Sequence, residues 1–412
     1  MLTSLSSHNV IQDLQEAGLC SSEEGVSTDS ELPQSSKKNF NLLVTLKGNR
    51  QLLVKQERHI DNDGKPQEFF NEWLFHQLLE RFPALGSISA IASLVVYFDR
   101  KKSILVRNYL KDYQDTASFY RQNLRFPNSI ATAIGTSLGL LHRATFKHHE
   151  YRDFMATAPE GEYRYHLYNP AQGLGSIGPE IISRVPTNAL KFYTLYQRYE
   201  TIEGAIAELS YEWKPCCLTH NELRLDNILL HSKWEQLDNC LVRLIDWEAC
   251  AWGDPSFDLG TLVADYLAIG LESLVVDPSL DLDESLHLSA VPFDILQPSI
   301  LALIQAYLDT FPTILEQRND FLLRTVQFAG LALLHKIDEK IKQHRYFDNS
   351  GICTFQIARS LLTKPQESVM TVFGVSETDL IKPFVKLTKF SQAQKEVNLL
   401  RLHNNKARLR GC

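Results

Sequence analysis

The stretch Leu218-Thr219-His220-Asn221-Glu222-Leu223-Arg224-Leu225-Asp226-Asn227 sets an acid two residues after a histidine and an amide five residues after that acid. An apolar run, Ile228-Leu229-Leu230, follows at once, and a second one over 241–245 leads into Asp246-Trp247-Glu248. The two runs read as the strands of a hairpin, so Asn227 and Asp246 would converge at its base despite nineteen positions of separation. The intervening residues 231–239 read as a surface insertion. An amide oxygen and a carboxylate are hard donors of the kind Mg2+ accepts while keeping several waters. Further on, Gly253-Asp254-Pro255 looks like a helix start, with Asp254 as N-cap and Pro255 in the first turn. Asp258 is then expected to hold the preceding loop by hydrogen bonds, and His220 to orient it through its ring.

Outward from this stretch the chain changes character twice. Residues 8–18 suggest a short amphipathic helix with Val10, Ile11 and Leu14 on one face and Gly18 as its stop. The Ser/Glu-rich stretch 21–38 reads as loop. Strands are expected over 40–46 and 51–55, around the turn Lys47-Gly48-Asn49, then a helix over 67–81 and two more strands, 94–98 and 103–108. This is a small β-rich lobe with a single helix across it. Beyond Leu110 helices dominate: 128–142, one broken or two short helices in 190–209, then about 260–275, 296–311, 318–342, 352–362 and 377–400. Residues 169–179 read as loop, and an acidic stretch, 276–285, interrupts the helices. The expected division is an N-terminal helix and loop (1–38), a small lobe (39–110), a large lobe (111–395) and a basic tail (396–412), giving an α+β, bilobal chain.

The bulk numbers narrow the class. A chain of 412 residues with 44% hydrophobic and 22% charged residues can bury a large core, as one large or two coupled domains. A net charge of −7 gives no basic surplus of the kind that marks nucleic-acid binding, so no nucleic-acid partner is expected. No apolar run approaches the roughly 18 residues needed to span a bilayer, and the first residues lack the basic-then-apolar order of a signal peptide. No membrane association is expected, and the seven scattered cysteines fit a reducing, cytoplasmic setting, with Cys216, Cys217 and Cys250 as buried thiols. The pairs His148-His149 and Cys216-Cys217 lack the spacing of a zinc site.

Phosphoryl transfer is mostly positioning and charge stabilisation, and each part it needs has a candidate in order along the chain. Lys55, ending the strand Leu52-Leu53-Val54-Lys55, is the cation for nucleotide phosphates, and Glu72 on the following helix is the preferred partner to aim it, ahead of Glu68. Asn227 and Asp246 are the Mg2+ ligands, and Glu222 occupies the place of the carboxylate that orients an acceptor hydroxyl. Glutamate carries one methylene more than aspartate, and a displacement of about 1 Å can cost on the order of a hundredfold in rate. Arg224 is positioned for the γ-phosphate or its transition-state charge, or else pairs with Asp226 on the surface. A glycine-rich phosphate loop is missing; its best substitute is 35–41, where Ser36 and Asn39 would meet phosphates.

These residues resemble the aminoglycoside phosphotransferase/choline kinase-like family, whose H-x-D-x-x-x-x-N appears as His220-Asn221-Glu222-Leu223-Arg224-Leu225-Asp226-Asn227. Its I-D-W-E…G-D-P-x-x-D-L appears as Ile245-Asp246-Trp247-Glu248…Gly253-Asp254-Pro255-Ser256-Phe257-Asp258-Leu259, and about 35–390 is compatible with the family's protein-kinase-like fold. The resemblance implies ATP and Mg2+ as cofactors and nucleotide binding by the small lobe. It gives Glu222 the catalytic-base position, and backbone near Arg107 and Tyr109 would bind adenine. It also implies a hydroxyl of a small molecule or peptide as acceptor, received between the catalytic loop and the regions 150–185 and 265–295, where Asp265, Glu272, Asp277, Asp281 and Asp283 could meet a cation. Two departures, Glu222 for aspartate and the missing glycine loop, keep a second reading open: a pseudokinase that binds nucleotide or a partner protein. A protein kinase proper fits less well, because Asp246-Trp247-Glu248 replaces D-F-G and no A-P-E follows.

Overall fold

A computed structural model of the chain describes residues 9–20, 27–29, 39–46, 48–57, 68–92, 95–158, 161, 169–171, 186–187, 189–238, 241–274 and 288–384. Its contacts form two compact units, the first comprising Met1–Arg125, Leu140–Asn169 and Trp213–Asp258, and the second Phe126–Gly139, Pro170–Glu212 and Leu259–Cys412.

The first unit opens with α1 (Val10–Glu16), closed at Gly18, whose φ of +69° suits glycine at a helix stop. A strand β1 (Ser27–Asp29) follows, inside the stretch expected to be loop. It has no apolar alternation to announce it and exists by pairing with the edge of β2 (Asn39–Thr45). With β3 (Gln51–Glu57), β4 (Val95–Asp99) and β5 (Ile104–Asn108) they form an antiparallel sheet in the order β1-β2-β3-β5-β4. The expected helix is α2 (Glu68–Arg81), but it is not alone: a single turn, Pro83–Leu85, and α3 (Gly86–Ser89) follow it.

The register of β3 on β5 gives the sheet two different faces. Leu52, Val54, Ile104 and Val106 join Val44, Leu46 and the α1 residues Val10 and Leu14 in one apolar cluster. Lys102, in the turn before β5, ties α1 down through Asp13 at 2.5 Å and Glu16 at 3.2 Å. Leu53 lies opposite Arg107 and Lys55 opposite Leu105, and these alternate residues take the other face. Two cations on one face of a buried strand pair need carboxylates in front of them.

Glu72 of α2 is one of them, and the others come from later in the chain. After β6 (Tyr113–Asp115) the chain forms α4 (Thr116–Asn123), capped by the Asp115 side chain, then α5 (Asn128–Thr145) and α6 (His149–Met155). The 190–209 region is two helices, α7 (Leu190–Arg198) and α8 (Glu200–Tyr211), broken at Tyr199, and both belong to the second unit. The chain re-enters the first unit as β7 (Cys217–Thr219), β8 (Ile228–His231), β9 (Val242–Leu244) and β10 (Ala251–Gly253). β8 and β9 are the expected hairpin, extended by β6, and β10 pairs with β7. That pairing requires Gly253, where a Cβ would stand 2.1 Å from Thr219 Oγ1. Helix α9 (Pro255–Glu272) starts five residues before the expected 260, at the Asp254-Pro255 cap. Cys217 and Cys250 are buried thiols as expected, and Cys216 is half-buried.

The second unit is built on α10 (Phe293–Thr310), α11 (Ile314–Gln317), α12 (Phe321–His344), α13 (Asn349–Thr363) and α14 (Pro365–Phe373). Helix α12 is buried along most of its length, and a Cβ at Gly330 would stand 2.7 Å from the Ala358 carbonyl, so glycine permits its close approach to α13. Of the expected 377–400 helix, 377–384 is helical and the remainder, with the basic tail, lies outside the described residues. No helix among the described residues is long and apolar enough to cross a membrane.

Candidate active site

The loop after β7 is fixed by one carboxylate. Asp258, fully buried, accepts the backbone N–H of His220 at 2.7 Å on Oδ2 and that of Asn221 at 2.8 Å on Oδ1. Its Oδ2 also lies 3.2 Å from Nε2 of the buried His142 on α5. His220 directs Nε2 to the Ile245 carbonyl at 2.9 Å, linking the loop to the segment before Asp246. Asn221 has φ +63°, a left-handed conformation that non-glycine residues take at a cost of order 1–3 kcal/mol and that neighbours must enforce. Here its side chain does so, accepting from Thr219 Oγ1 at 2.8 Å and donating to the Ala249 carbonyl at 2.9 Å.

The hairpin brings its two oxygen donors together as the spacing implied. Ile245 N–H donates to the Asn227 carbonyl at 3.0 Å, one step beyond the Ile228–Leu244 pair, so Asn227 and Asp246 leave adjacent strand ends. Asn227 Nδ2 donates to the Glu222 carbonyl at 2.8 Å, which turns its amide oxygen into the atom left for a ligand. Asp246 has φ +63°, again left-handed. It is followed by Trp247, fully buried, stacked on Phe75 of α2 with centroids 3.9 Å apart and donating Nε1 to the Leu244 carbonyl. Asn71 on α2 donates to the carbonyls of Glu248 and Cys250 at 2.7 and 2.8 Å, locking the helix to this segment.

In front of the charged sheet face lies a cluster of five side chains. Lys55 Nζ is 2.6 Å from Asp246 Oδ1 and 3.4 Å from Glu248 Oε1. Arg107 Nη1 is 2.8 Å from the same Asp246 Oδ1 and 3.7 Å from Glu72 Oε1. Glu72, expected to pair with Lys55, thus has Arg107 as its ion partner, and neither of its fully buried oxygens has a hydrogen bond. Glu72, Asp246 and Glu248 have ligand oxygens within 4.8 Å of one another, an arrangement that could hold a metal ion.

Burial and charge pull these groups apart. Burial raises the Glu72 pKa to about 7, with Lys55 and Arg107 resisting the rise and Asp246 and Glu248 adding to it. Burial acts on Asp246 in the same sense but loses to Lys55 and Arg107, which hold its carboxyl well below the usual range. For Lys55, burial disfavours the charge, yet Asp246, Glu72 and Glu248 together outweigh burial and the Arg107 charge, and the ammonium titrates above its ordinary value. One turn after Glu72, His76 is buried, its Nε2 lacks a hydrogen bond, and burial followed by the Arg107 charge lowers its pKa to about 3.

Glu222 and Arg224 are half-buried in the loop between β7 and β8, Arg224 standing just before the turn Leu225–Asn227. Asp226 pairs with Arg121 on α4 at 3.7 Å. Asn39 is buried at the start of β2, opposite Glu57, while Ser36 lies outside the described residues. Tyr109 follows β5 and donates its N–H to the Gln51 carbonyl at 2.9 Å. Asp265 is bound to Lys336 at 2.6 Å, so its charge is already met within the second unit, and Asp277, Asp281 and Asp283 lie outside the described residues. Nothing in the sequence alone points to a role for Glu248 or for Asn71. The one signal for the Arg107 side chain is an arginine inside the apolar strand Ile104-Leu105-Val106-Arg107.

A family profile described as the phosphotransferase enzyme family matches residues 41–280, more than half of the chain. The chain belongs to this family. The matched span holds Lys55, Glu72, Arg107, Glu222, Asn227, Asp246 and Glu248, and the protein-kinase-like, α+β fold implied by the resemblance goes with it. Comparison with curated proteins finds no sequence match. Among solved structures the chain is similar to the choline kinase LicA from Streptococcus pneumoniae, with 15% identity over 87% of this chain and 99% of that one and a TM-score of 0.48. It is also similar to a choline/ethanolamine kinase family protein from Mesorhizobium loti, with 14% identity over 89% and 99% and a TM-score of 0.45. A third is the macrolide 2'-phosphotransferase MphH from Brachybacterium faecium, with 13% identity over 87% and 99% and a TM-score of 0.43. As a member of the phosphotransferase enzyme family, the chain has its family's reaction class.

Proposed function

We propose that this phosphotransferase moves the γ-phosphate of ATP, with Mg2+, to a hydroxyl of a small molecule or peptide. The observation that carries the reading is the 2.6 Å contact of Lys55 Nζ with Asp246 Oδ1, which sets a phosphate-binding cation beside a metal-binding carboxylate from residues 191 positions apart. The donor set fits Mg2+: the Asn227 amide oxygen and the Asp246 carboxylate are hard ligands, and Asn227 is already turned by its bond to the Glu222 carbonyl. When bound, the ion would neutralise charge on the phosphates.

The remaining work falls to side chains. Lys55 donates hydrogen bonds to phosphate oxygens from a rigid strand. Arg224 supplies a permanent charge near the γ-phosphate, and backbone at Arg107 to Tyr109 borders the adenine, with the Tyr109 N–H already engaged in the sheet. Glu222 accepts the proton of the acceptor hydroxyl as its oxygen attacks, while the Asp258 bonds keep the loop beneath it from shifting.

The test is ATP consumption across a panel of amino sugars, choline, simple sugars and hydroxyl-bearing peptides, run with wild type, Glu222→Gln and Glu222→Asp. At least one acceptor should be phosphorylated, and Glu222→Gln should lower turnover by about 10²–10⁴-fold. A measured transfer that Glu222→Gln leaves untouched would remove glutamate from the base position. Stabilisation by ATP with no consumption on any acceptor would favour the pseudokinase reading.

A further inference from the structure

Arg107 borders the proposed adenine position through its backbone, yet its side chain reaches the centre of the site. It is 8% exposed, and its Nη1 binds Asp246 Oδ1 at 2.8 Å, the oxygen already taken by Lys55 Nζ at 2.6 Å. Two cations therefore share one oxygen, while Oδ2 accepts no hydrogen bond among the described residues and the Asp246 side chain remains 26% exposed. The second partner of Arg107 is Glu72 at 3.7 Å, a fully buried carboxylate with no hydrogen bond on either oxygen. The guanidinium cannot leave by losing its proton, since its charge persists at all working pH values. Its position on β5 opposite Leu53 fixes it on the Lys55 face of the sheet.

We propose that Arg107 is a positioning residue that pins Asp246 by Oδ1, leaving Oδ2 as the one oxygen this aspartate offers a divalent ion and weakening the site's hold on that ion. The proposal rests on the reading of Asp246 as a metal ligand. Its physical content is competition: a fixed positive charge 2.8 Å from the carboxylate opposes a second cation at the same group. Lys55 is as buried and also faces two carboxylates, but its second partner is Glu248 at 3.4 Å, whereas that of Arg107 is the fully buried Glu72 at 3.7 Å, which draws the guanidinium toward α2.

The experiment measures Mn2+ binding to the full chain without nucleotide, reading free Mn2+ by electron paramagnetic resonance. Arg107→Met should bind Mn2+ about tenfold more tightly than wild type, Arg107→Lys should stay near wild type because the charge is kept, and Asp246→Asn should bind at least about tenfold more weakly. Unchanged or weaker binding in Arg107→Met, with Asp246→Asn still defective, overturns the proposal and leaves the metal reading standing. Wild-type binding in Asp246→Asn overturns both. Because Arg107→Met strands Glu72, the same comparison is made between Arg107→Met/Glu72→Gln and Glu72→Gln alone, where the tightening should persist.

Discussion

Asp258 and Glu72 are both completely buried carboxylates of the first unit, but they are satisfied in opposite ways. Both oxygens of Asp258 accept backbone N–H groups, and His142 adds a third contact. Glu72 accepts no hydrogen bond on either oxygen and is balanced only by the charges of Lys55 and Arg107, against Asp246 and Glu248. The first arrangement fixes a backbone: two bonds in definite directions, from a carboxylate braced by His142, leave the His220–Asn221 loop one geometry. The second fixes only a charge balance, which a phosphate or a cation can redistribute without breaking directional bonds. Rigidity lies under the proposed base, and adjustability lies where ligands would bring charge.

That contrast can be broken by exchanging one residue on each side. Asp258→Ala leaves two buried N–H groups without acceptors and should lower stability by about 2–6 kcal/mol in urea unfolding, at about 1–3 kcal/mol for each unsatisfied group. Glu72→Gln should do the reverse above neutral pH. The folded state keeps the Glu72 proton up to about pH 7 whereas the unfolded chain releases it near 4.5, so wild-type stability falls as pH rises through that window. The variant should lack that slope. A destabilised Glu72→Gln at pH 8, or a tolerated Asp258→Ala, would abolish the distinction.

His76 sharpens the same contrast with a smaller effect and the opposite sign. Its pKa is lowered to about 3 in the folded state, so between pH 6.5 and 3 the unfolded chain binds a proton that the folded one refuses. Stability is retained above pH 6.5 and lost as pH falls. His76→Met should remove about 2 kcal/mol of the loss between pH 7 and pH 5, taken as the difference from wild type in unfolding free energy. Equal pH profiles would mean that the imidazole charges freely in the fold.

The sequence made one half of this contrast readable and hid much of the other. The loop, its hairpin and the Asp254–Asp258 helix start are local, so fixed spacings from His220 to Leu259 announce them, and Asp258 could be assigned its bonds from position alone. Lys55 and Glu72 were legible as types, but their pairing was not. Which carboxylate faces which cation depends on the β3–β5 register and on where α2 meets the segment after Asp246. Arg107 and Glu248 stayed hidden for that reason, being ordinary in sequence and charged partners only in space. The three-residue strands β1, β7 and β10 were missed because so few residues carry no alternation; their partners define them.

The most direct test of the central claim is the Mg2+ dependence of ATP binding, measured by calorimetry on wild type and Asp246→Asn. If Asn227 and Asp246 hold the ion beside Lys55, Mg2+ should tighten ATP binding to wild type at least about tenfold, a coupling of about 1.4 kcal/mol, and Asp246→Asn should lose it. An equal Mg2+ effect in the two proteins would contradict the account.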